Sequence, residues 1–245
     1  MVNDMQRYMV LNKNLELDQS DKRHIIQVMK MKIGEKFEIV FDKQVFLCSI
    51  TSISKKNLTY QIVSKYDIDN LKKYKVVLGV CLIKEQKMDY LLQKACELGV
   101  DEIIPIISDR TVIKIDNKKD NKITRWNRIL KESSEQSFRS SIPIIHDIIR
   151  LKDIVKYDYS LKMVCSTKEK DNFIKKVLQD NKKSDTMLIV AGPEGGFSLE
   201  EENYLIDNGF IPTTLGSNIL RAETVPLYVL SVINYEYGGE LWLII

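Results

Sequence analysis

The residue types that could do chemistry gather in one stretch near the C-terminal end, Gly192-Pro193-Glu194-Gly195-Gly196. Three glycines and a proline within five residues give a backbone that can take positive φ and approach a ligand with no Cβ in the way. Neither familiar phosphate loop is present, since no Gly-Lys-Ser/Thr closes the segment and there is no G-x-G-x-x-G. Glu194 also argues against phosphate. A carboxylate among backbone carbonyls better suits a ligand carrying positive charge, and the sulfonium of S-adenosylmethionine is one such ligand. Taken alone, the same residues also describe a glycine-rich turn that binds nothing.

Other catalytic material is sparse. The chain has only two histidines, His24 and His146, too few for a histidine-based metal site or a Ser-His-Asp triad, and no metal is expected. Cys48, Cys81, Cys96 and Cys165 stand far apart with no C-x-x-C pair, which reads as reduced, mostly buried thiols. Residues 1–73 carry 13 Lys/Arg against 9 Asp/Glu, whereas the remainder carries 24 against 25. That modest basic excess points to RNA contact at the N-terminal end. No apolar run is long enough to cross a bilayer, and MVNDMQRYMV lacks the apolar core of a signal peptide, so a cytoplasmic protein with no membrane partner is expected.

The elements that must position the glycine-rich turn are legible around it. Met187-Leu188-Ile189-Val190-Ala191 is a continuous apolar run of strand length that ends in the turn, and Ser198 with Glu201 forms a capping box that opens a helix. From residue 75 onward the rhythm is strand and helix in alternation. Strands are expected at 75–82, 103–107, 161–166, 187–191, 213–215 and 241–245, and helices at 85–98, 123–139, 170–180, 198–208 and 223–237. Such alternation predicts a mostly parallel α/β sheet, which ordinary connection rules would leave unknotted. The first part differs. A strand at 6–11 and a helix from Asp18 to Met31 precede β-branched and aromatic runs at 37–41, 45–53 and 58–63, the pattern of a small antiparallel sheet or barrel. Tyr66 to Tyr74 is the expected linker.

A second segment follows the turn, Leu215-Gly216-Ser217-Asn218-Ile219-Leu220-Arg221-Ala222-Glu223-Thr224. Together the two resemble the donor-binding loops of the SPOUT superfamily of RNA methyltransferases. More narrowly, the chain resembles the RsmE family, which methylates N3 of a uridine in the decoding region of 16S ribosomal RNA. The stretches HIIQVMKMKIGEKFEIVF (24–41), KEQKMDYLLQKACELGVDEIIPIISDR (84–110) and ESSEQSFR (132–139) match the same family, so the likeness covers nearly the whole chain. The family commonly has Arg where Lys30 stands and a small residue at Phe138 and at Pro226.

The resemblance implies a SPOUT-type parallel α/β sheet with a C-terminal trefoil knot over 73–245, and a small PUA-like β-barrel RNA-binding domain over 1–72. It implies S-adenosylmethionine as methyl donor, held by Gly192, Pro193, Glu194, Gly195 and Gly196, by Leu215, Gly216, Ser217, Ile219, Leu220 and Thr224, and by a third loop with Cys165, Ser166 and Thr167. Within that frame Arg221 is the candidate for stabilising charge on the target base, because its guanidinium offers fixed, always-charged donors. Glu223 would orient Arg221 or accept the proton, unless it only caps the next helix with Thr224. Arg7, Arg23, Lys30 and Lys32 are candidate phosphate contacts, and Lys84, Lys87 and Arg110 candidate RNA or substrate contacts at strand ends. Gln136 and Arg139 are candidate readers of a flipped base, against the plainer reading of Glu135 and Arg139 as a surface ion pair. The expected partners are 16S rRNA, within the small ribosomal subunit, and a second copy of the chain, paired through the face of 225–237 that carries Leu227, Leu230, Ser231 and Asn234. Two alternatives stay open: a SPOUT ribose 2′-O RNA methyltransferase and a non-catalytic RNA-binding assembly factor.

Overall fold

β-Branched and aromatic runs broken by short polar turns build the first of two units in the structure, a computed structural model that describes residues 5–68, 72–113 and 119–238. Strands β1 (Arg7–Met9), β2 (Lys36–Phe41), β3 (Gln44–Ile53) and β4 (Leu58–Asp67) form one sheet in that order. The β2–β3 hairpin turns on Asp42 and Lys43, both at positive φ (47° and 63°), the handedness that matches strand twist. Among the described residues this is a four-stranded sheet rather than a closed barrel. β4 runs on to Asp67, past the expected end at 63, because its backbone stays paired with β3 as far as Gln44.

Asp18 caps α1 (Gln19–Arg23), its carboxylate accepting the Ser20 and Asp21 N–H groups at 2.8 and 2.9 Å. The helix widens into a π turn over His24–Val28 and ends there, short of the expected Met31, with Lys30 at φ 52°. Ile25, Phe37, Ile39, Cys48 and Ile50 fill the core beneath it. The segment Ser134–Ile142 belongs to this unit as well, although it lies far along the chain. Glu135 accepts the Met9 N–H at 2.8 Å, and Ile142 packs against Met9, Val40 and Val45.

The second unit is built on parallel strands whose apolar runs are almost unbroken. β5 (Lys75–Cys81), β6 (Glu102–Ile107), β7 (Ile144–Ile145), β9 (Leu161–Cys165), β10 (Thr186–Ala191) and β11 (Ile211–Thr213) stand in the order β11-β9-β10-β5-β6-β7, and β8 (Ile149–Arg150) also pairs with β6. All are parallel, as strands buried on both faces by crossover helices should be. The helices are α2 (Glu85–Glu97), α3 (Lys119–Gln136), α4 (Ile174–Asp180), α5 (Leu199–Asp207) and α6 (Thr224–Tyr237). α6 packs on both α2 and α4, while α5 packs on the 3-10 turn Leu151–Lys156.

Several boundaries differ from the sequence-based ones. α3 spans 119–136 rather than 123–139, because the chain breaks at Phe138 (φ 54°). α4 starts at 174 instead of 170, and β11 lies at 211–213 rather than 213–215. The expected strand at 241–245 lies outside the described residues. Among those described, no helix is long and apolar enough to cross a membrane.

At the amino ends of β5 and β6, Glu102 is ringed by Lys75 Nζ at 2.5 Å and His146 Nε2 at 2.9 Å. Burial pushes its carboxyl up, but the bonds from Lys75 and His146 prevail and hold it below the ordinary range.

Candidate functional site

β9, β10 and β11 are neighbours and parallel, so the three loops leaving their carboxyl ends leave side by side. Each loop is fixed by local chemistry. After β9, the Ser166 hydroxyl accepts the N–H groups of Lys168 and Glu169 at 3.1 and 3.2 Å and donates to Glu202. The Glu169 carboxylate takes the N–H groups of Lys170, Asp171 and Asn172 within 2.7–3.1 Å, which holds it below the usual carboxylate range. Those bonds keep 170–172 out of α4. The loop is also stitched to β11, Ser166 N–H donating to Thr213 and Thr214 N–H to Asn172.

After β10, Gly196 N–H closes a turn on the Pro193 carbonyl at 2.9 Å, and Gly196 stands at φ +65° with nothing within 4 Å of where a Cβ would lie. The capping box of α5 is complete: Ser198 Oγ accepts the Glu201 N–H at 3.1 Å and Glu201 accepts the Ser198 N–H at 3.0 Å. Glu201 also accepts the Asp109 N–H at 2.7 Å, and Arg110 donates to the Gly195 carbonyl at 2.9 Å. The chain after β6 is thereby tied to the glycine turn. After β11, Gly216 takes φ +130°, again with open space where a Cβ would be.

The loops enclose an open cleft of about 880 Å³, walled by residues 165–170, 192–197 and 214–222 with Lys87, Arg110, Phe173, Glu202 and Val225. Every residue assigned from sequence to donor binding is on this wall except Thr224, which begins α6. Arg221 is on the wall and exposed. Glu223 lies behind it. Burial would raise the Glu223 carboxyl, but its own backbone N–H, Lys87 and Arg221 keep it below the ordinary range. Its side chain makes no cap bond to α6. Cys165 meets the cleft, yet burial pushes its thiol up to about 12, so it stays protonated and inert.

The proposed RNA contacts divide. Arg110 and Lys87 line the cleft, whereas Lys84 is exposed as the residue before α2 and does not. In the first unit Arg23, Lys30 and Lys32 are exposed. Arg7 is not. Its side chain is 9% exposed, pairs with Glu38 at 2.7 Å, donates to the Phe138 carbonyl and stacks over the Phe138 ring, so its charge is spent inside the unit. Gln136 and Arg139 also belong to the first unit, Gln136 exposed and Arg139 Nε bonded to the Ser141 carbonyl at 3.2 Å.

Sequence reasoning passed over Lys168, Glu169, Phe173 and Glu202. Glu202 reads as one more acid in the first turn of a helix, and only the structure shows it buried with Ser166 and Lys168 as partners. The wall carries five cationic side chains (Lys87, Arg110, Lys168, Lys170, Arg221) against three acidic ones (Glu169, Glu194, Glu202). Such a surface suits a polyanion, since its carboxylates already have partners in the protein: Glu169 in backbone N–H groups, Glu202 in Ser166 and Lys168, and Glu194 in Lys87.

The comparisons with known proteins concern the same two units. A family model described as an RNA methyltransferase domain matches residues 70–234, and one described as an RNA methyltransferase PUA domain matches 17–63. Ribosomal RNA small subunit methyltransferase E of Bacillus subtilis is 30% identical over 249 residues, covering 95% of this chain and 97% of that one. Its counterpart in Mesomycoplasma hyopneumoniae is 32% identical over 232 residues, covering 94% and 96%. Among solved structures, ribosomal RNA small subunit methyltransferase E of Neisseria gonorrhoeae, bound to S-adenosyl methionine, superposes with a TM-score of 0.85 at 26% identity, covering 95% of this chain and 98% of that one. A Legionella pneumophila protein in complex with the bound cofactor SAM gives 0.86 at 28% identity, covering 94% and 97%.

Proposed function

The chain belongs to the ribosomal RNA small subunit methyltransferase E (RsmE) family, and on that premise we propose that it methylates N3 of a uridine in the decoding region of 16S rRNA, using S-adenosylmethionine bound in the cleft of the second unit. The observation that carries this reading is the convergence of three loops on one cleft in which Gly196 and Gly216 leave open the space a Cβ would fill. When bound, S-adenosylmethionine supplies an electrophilic methyl group. Gly192, Pro193, Glu194, Gly195 and Gly196, with Leu215, Gly216, Ser217, Ile219 and Leu220 and with Cys165, Ser166 and Thr167, would hold it. Thr224, which begins α6, closes the end of the 214–222 loop with its N–H on the Arg221 carbonyl at 2.8 Å.

Uracil N3 must lose its proton before or as it attacks, which spreads negative charge onto the two flanking carbonyl oxygens. Arg221, exposed on the wall, is the donor for that charge. Glu223, off the wall and held ionised by Lys87 and Arg221, orients those two cations rather than taking the proton. Arg110 and Lys170 at the wall, with Arg23, Lys30 and Lys32 on the first unit, contact phosphates. Residues 1–72 act as a PUA-like RNA-holding domain and 73–245 as the methyltransferase domain, in the cytoplasm where small subunits are assembled.

Digestion of rRNA treated with the purified protein and labelled donor should yield label in 3-methyluridine. Label in a 2′-O-methyl nucleoside would overturn the assignment.

Two finer features complete the reading. β11 follows β10 in the chain yet lies beyond β9, and α6 then returns to α2, a path in keeping with a trefoil knot. Single-molecule stretching should leave the unfolded chain short of its full contour length, and full extension would exclude the knot. The active species is a homodimer paired through α6. Leu230 is buried, and the Asn234 amide donates to the Leu98 carbonyl at 2.7 Å, so both face inward. The outward stripe is Tyr228, Ser231 and Tyr235, flanked by Leu227. An active monomer in sedimentation would exclude dimer formation.

A further inference from the structure

Lys87 is the one cleft residue contributed by α2, and its ammonium stands between carboxylates of two different loops. It lies 3.4 Å from Glu194 and 3.2 Å from Oε2 of Glu223. That Glu223 oxygen is buried and takes no well-directed hydrogen bond, so Lys87 engages it by charge rather than by a fixed geometry. Glu194 sits in the glycine turn and lines the cleft beside Lys87. The only carboxylate of that turn is therefore already facing a cation that belongs to the protein.

We propose that Lys87 sets the preference of the cleft between the methyl donor and its demethylated product. The inference rests on the reading of this cleft as the donor site. S-Adenosylmethionine and S-adenosylhomocysteine share their adenosine and their amino-acid tail, and contacts to those parts favour both alike. They differ by one methyl group and one positive charge at sulfur. Groups whose field reaches the sulfur are therefore what separates them. Glu194 favours the cation. Lys87, a resident cation on the same carboxylate, opposes it, because a sulfonium must share Glu194 with Lys87 whereas a neutral thioether leaves that pair undisturbed. The Lys87 and Glu194 side chains are 32% and 38% exposed, so water screens the effect without abolishing it.

The test is the ratio of the two dissociation constants, product over donor, measured by calorimetry on the full-length protein. Lys87→Gln removes the opposing charge and should raise the ratio roughly threefold to tenfold, the scale of one screened unit charge at side-chain distance. Glu194→Gln should lower it by a similar factor, and Lys87→Arg, which keeps the charge, should leave it within about twofold of wild type. A purely structural strut would weaken both ligands equally. An unchanged ratio in Lys87→Gln overturns the proposal, whatever Glu194→Gln does. Should Lys87→Gln fail to fold, Lys87→Met, which keeps the aliphatic stem without the charge, takes its place and must raise the ratio alike. Wild-type protein that binds neither ligand would instead overturn the donor-site reading on which the proposal stands.

Discussion

Arg221 and Gly196 place opposite demands on their loops. Arg221 offers a planar fork of donors at the wall, and under the proposed function that fork serves the chemistry rather than holding the donor. Arg221→Ala should therefore lower turnover by roughly 10²–10³, the usual loss for one such donor, with donor affinity little changed. Arg221→Lys should restore little. Steady-state kinetics combined with calorimetry reads both, and a loss confined to donor affinity would return Arg221 to the binding loop. Gly196 matters for its backbone. At φ +65° it stands where a branched residue pays strain of about 1–3 kcal/mol, and an added side chain would enter space that is now open. Gly196→Val should weaken donor binding at least tenfold while the thermal midpoint moves by only a few degrees. Gly195, whose added Cβ would meet Arg110 at an ordinary 3.5 Å, should tolerate alanine better.

At the scale of elements, the ion pairs that join strands to their neighbours set the acid limit of the fold. Glu102 has its carboxyl held below its ordinary value of 4.5 despite burial. A depressed acid contributes stability that is fully present above the unfolded value and is lost as pH falls through the folded one. Glu102→Gln should therefore cost about 1–3 kcal/mol at neutral pH, and the difference from wild type should shrink below pH 4.5. Denaturant titrations at two pH values test this, and a cost that stays constant with pH would assign it to packing. The same scale shows what could be read from sequence. Val76 to Cys81 and Met187 to Ala191 were legible as strands because a parallel strand buried on both faces is apolar without interruption. β7 and β8, two residues each, carry no periodicity to detect. The start of α4 was misplaced because Glu169, five residues upstream, captures the N–H groups that would have begun it. The glycine loops were legible as turns because glycine readily takes the positive φ found at Gly196 and Gly216. The burial of Arg7 was not legible, because its partner Glu38 and the Phe138 ring are distant in sequence.

For the molecule as a whole, charge and connectivity carry consequences that no single element shows. If the first unit anchors RNA, the paired change Lys30→Ala with Lys32→Ala should flatten the dependence of log affinity on log salt by about one unit per lost phosphate contact. Donor affinity should not move. An unchanged slope in filter binding to an rRNA fragment would place the anchor elsewhere. The strand order also has a meaning in time. β5 pairs on one side with β6, made soon after it, and on the other with β10, made roughly a hundred residues later. At ordinary rates of synthesis the growing chain carries β5 with one edge unsatisfied for about 5–20 s. This inner strand of the sheet whose loops wall the cleft is thus an open template while the chain is still attached to a ribosome. Nascent chains halted before Thr186 should be cut readily by protease within β5, and those released after α6 should resist. Resistance before Thr186 would mean that another segment covers that edge in the interval. For a protein that acts on ribosomal RNA, the first long-lived hazard is its own delayed completion on a ribosome.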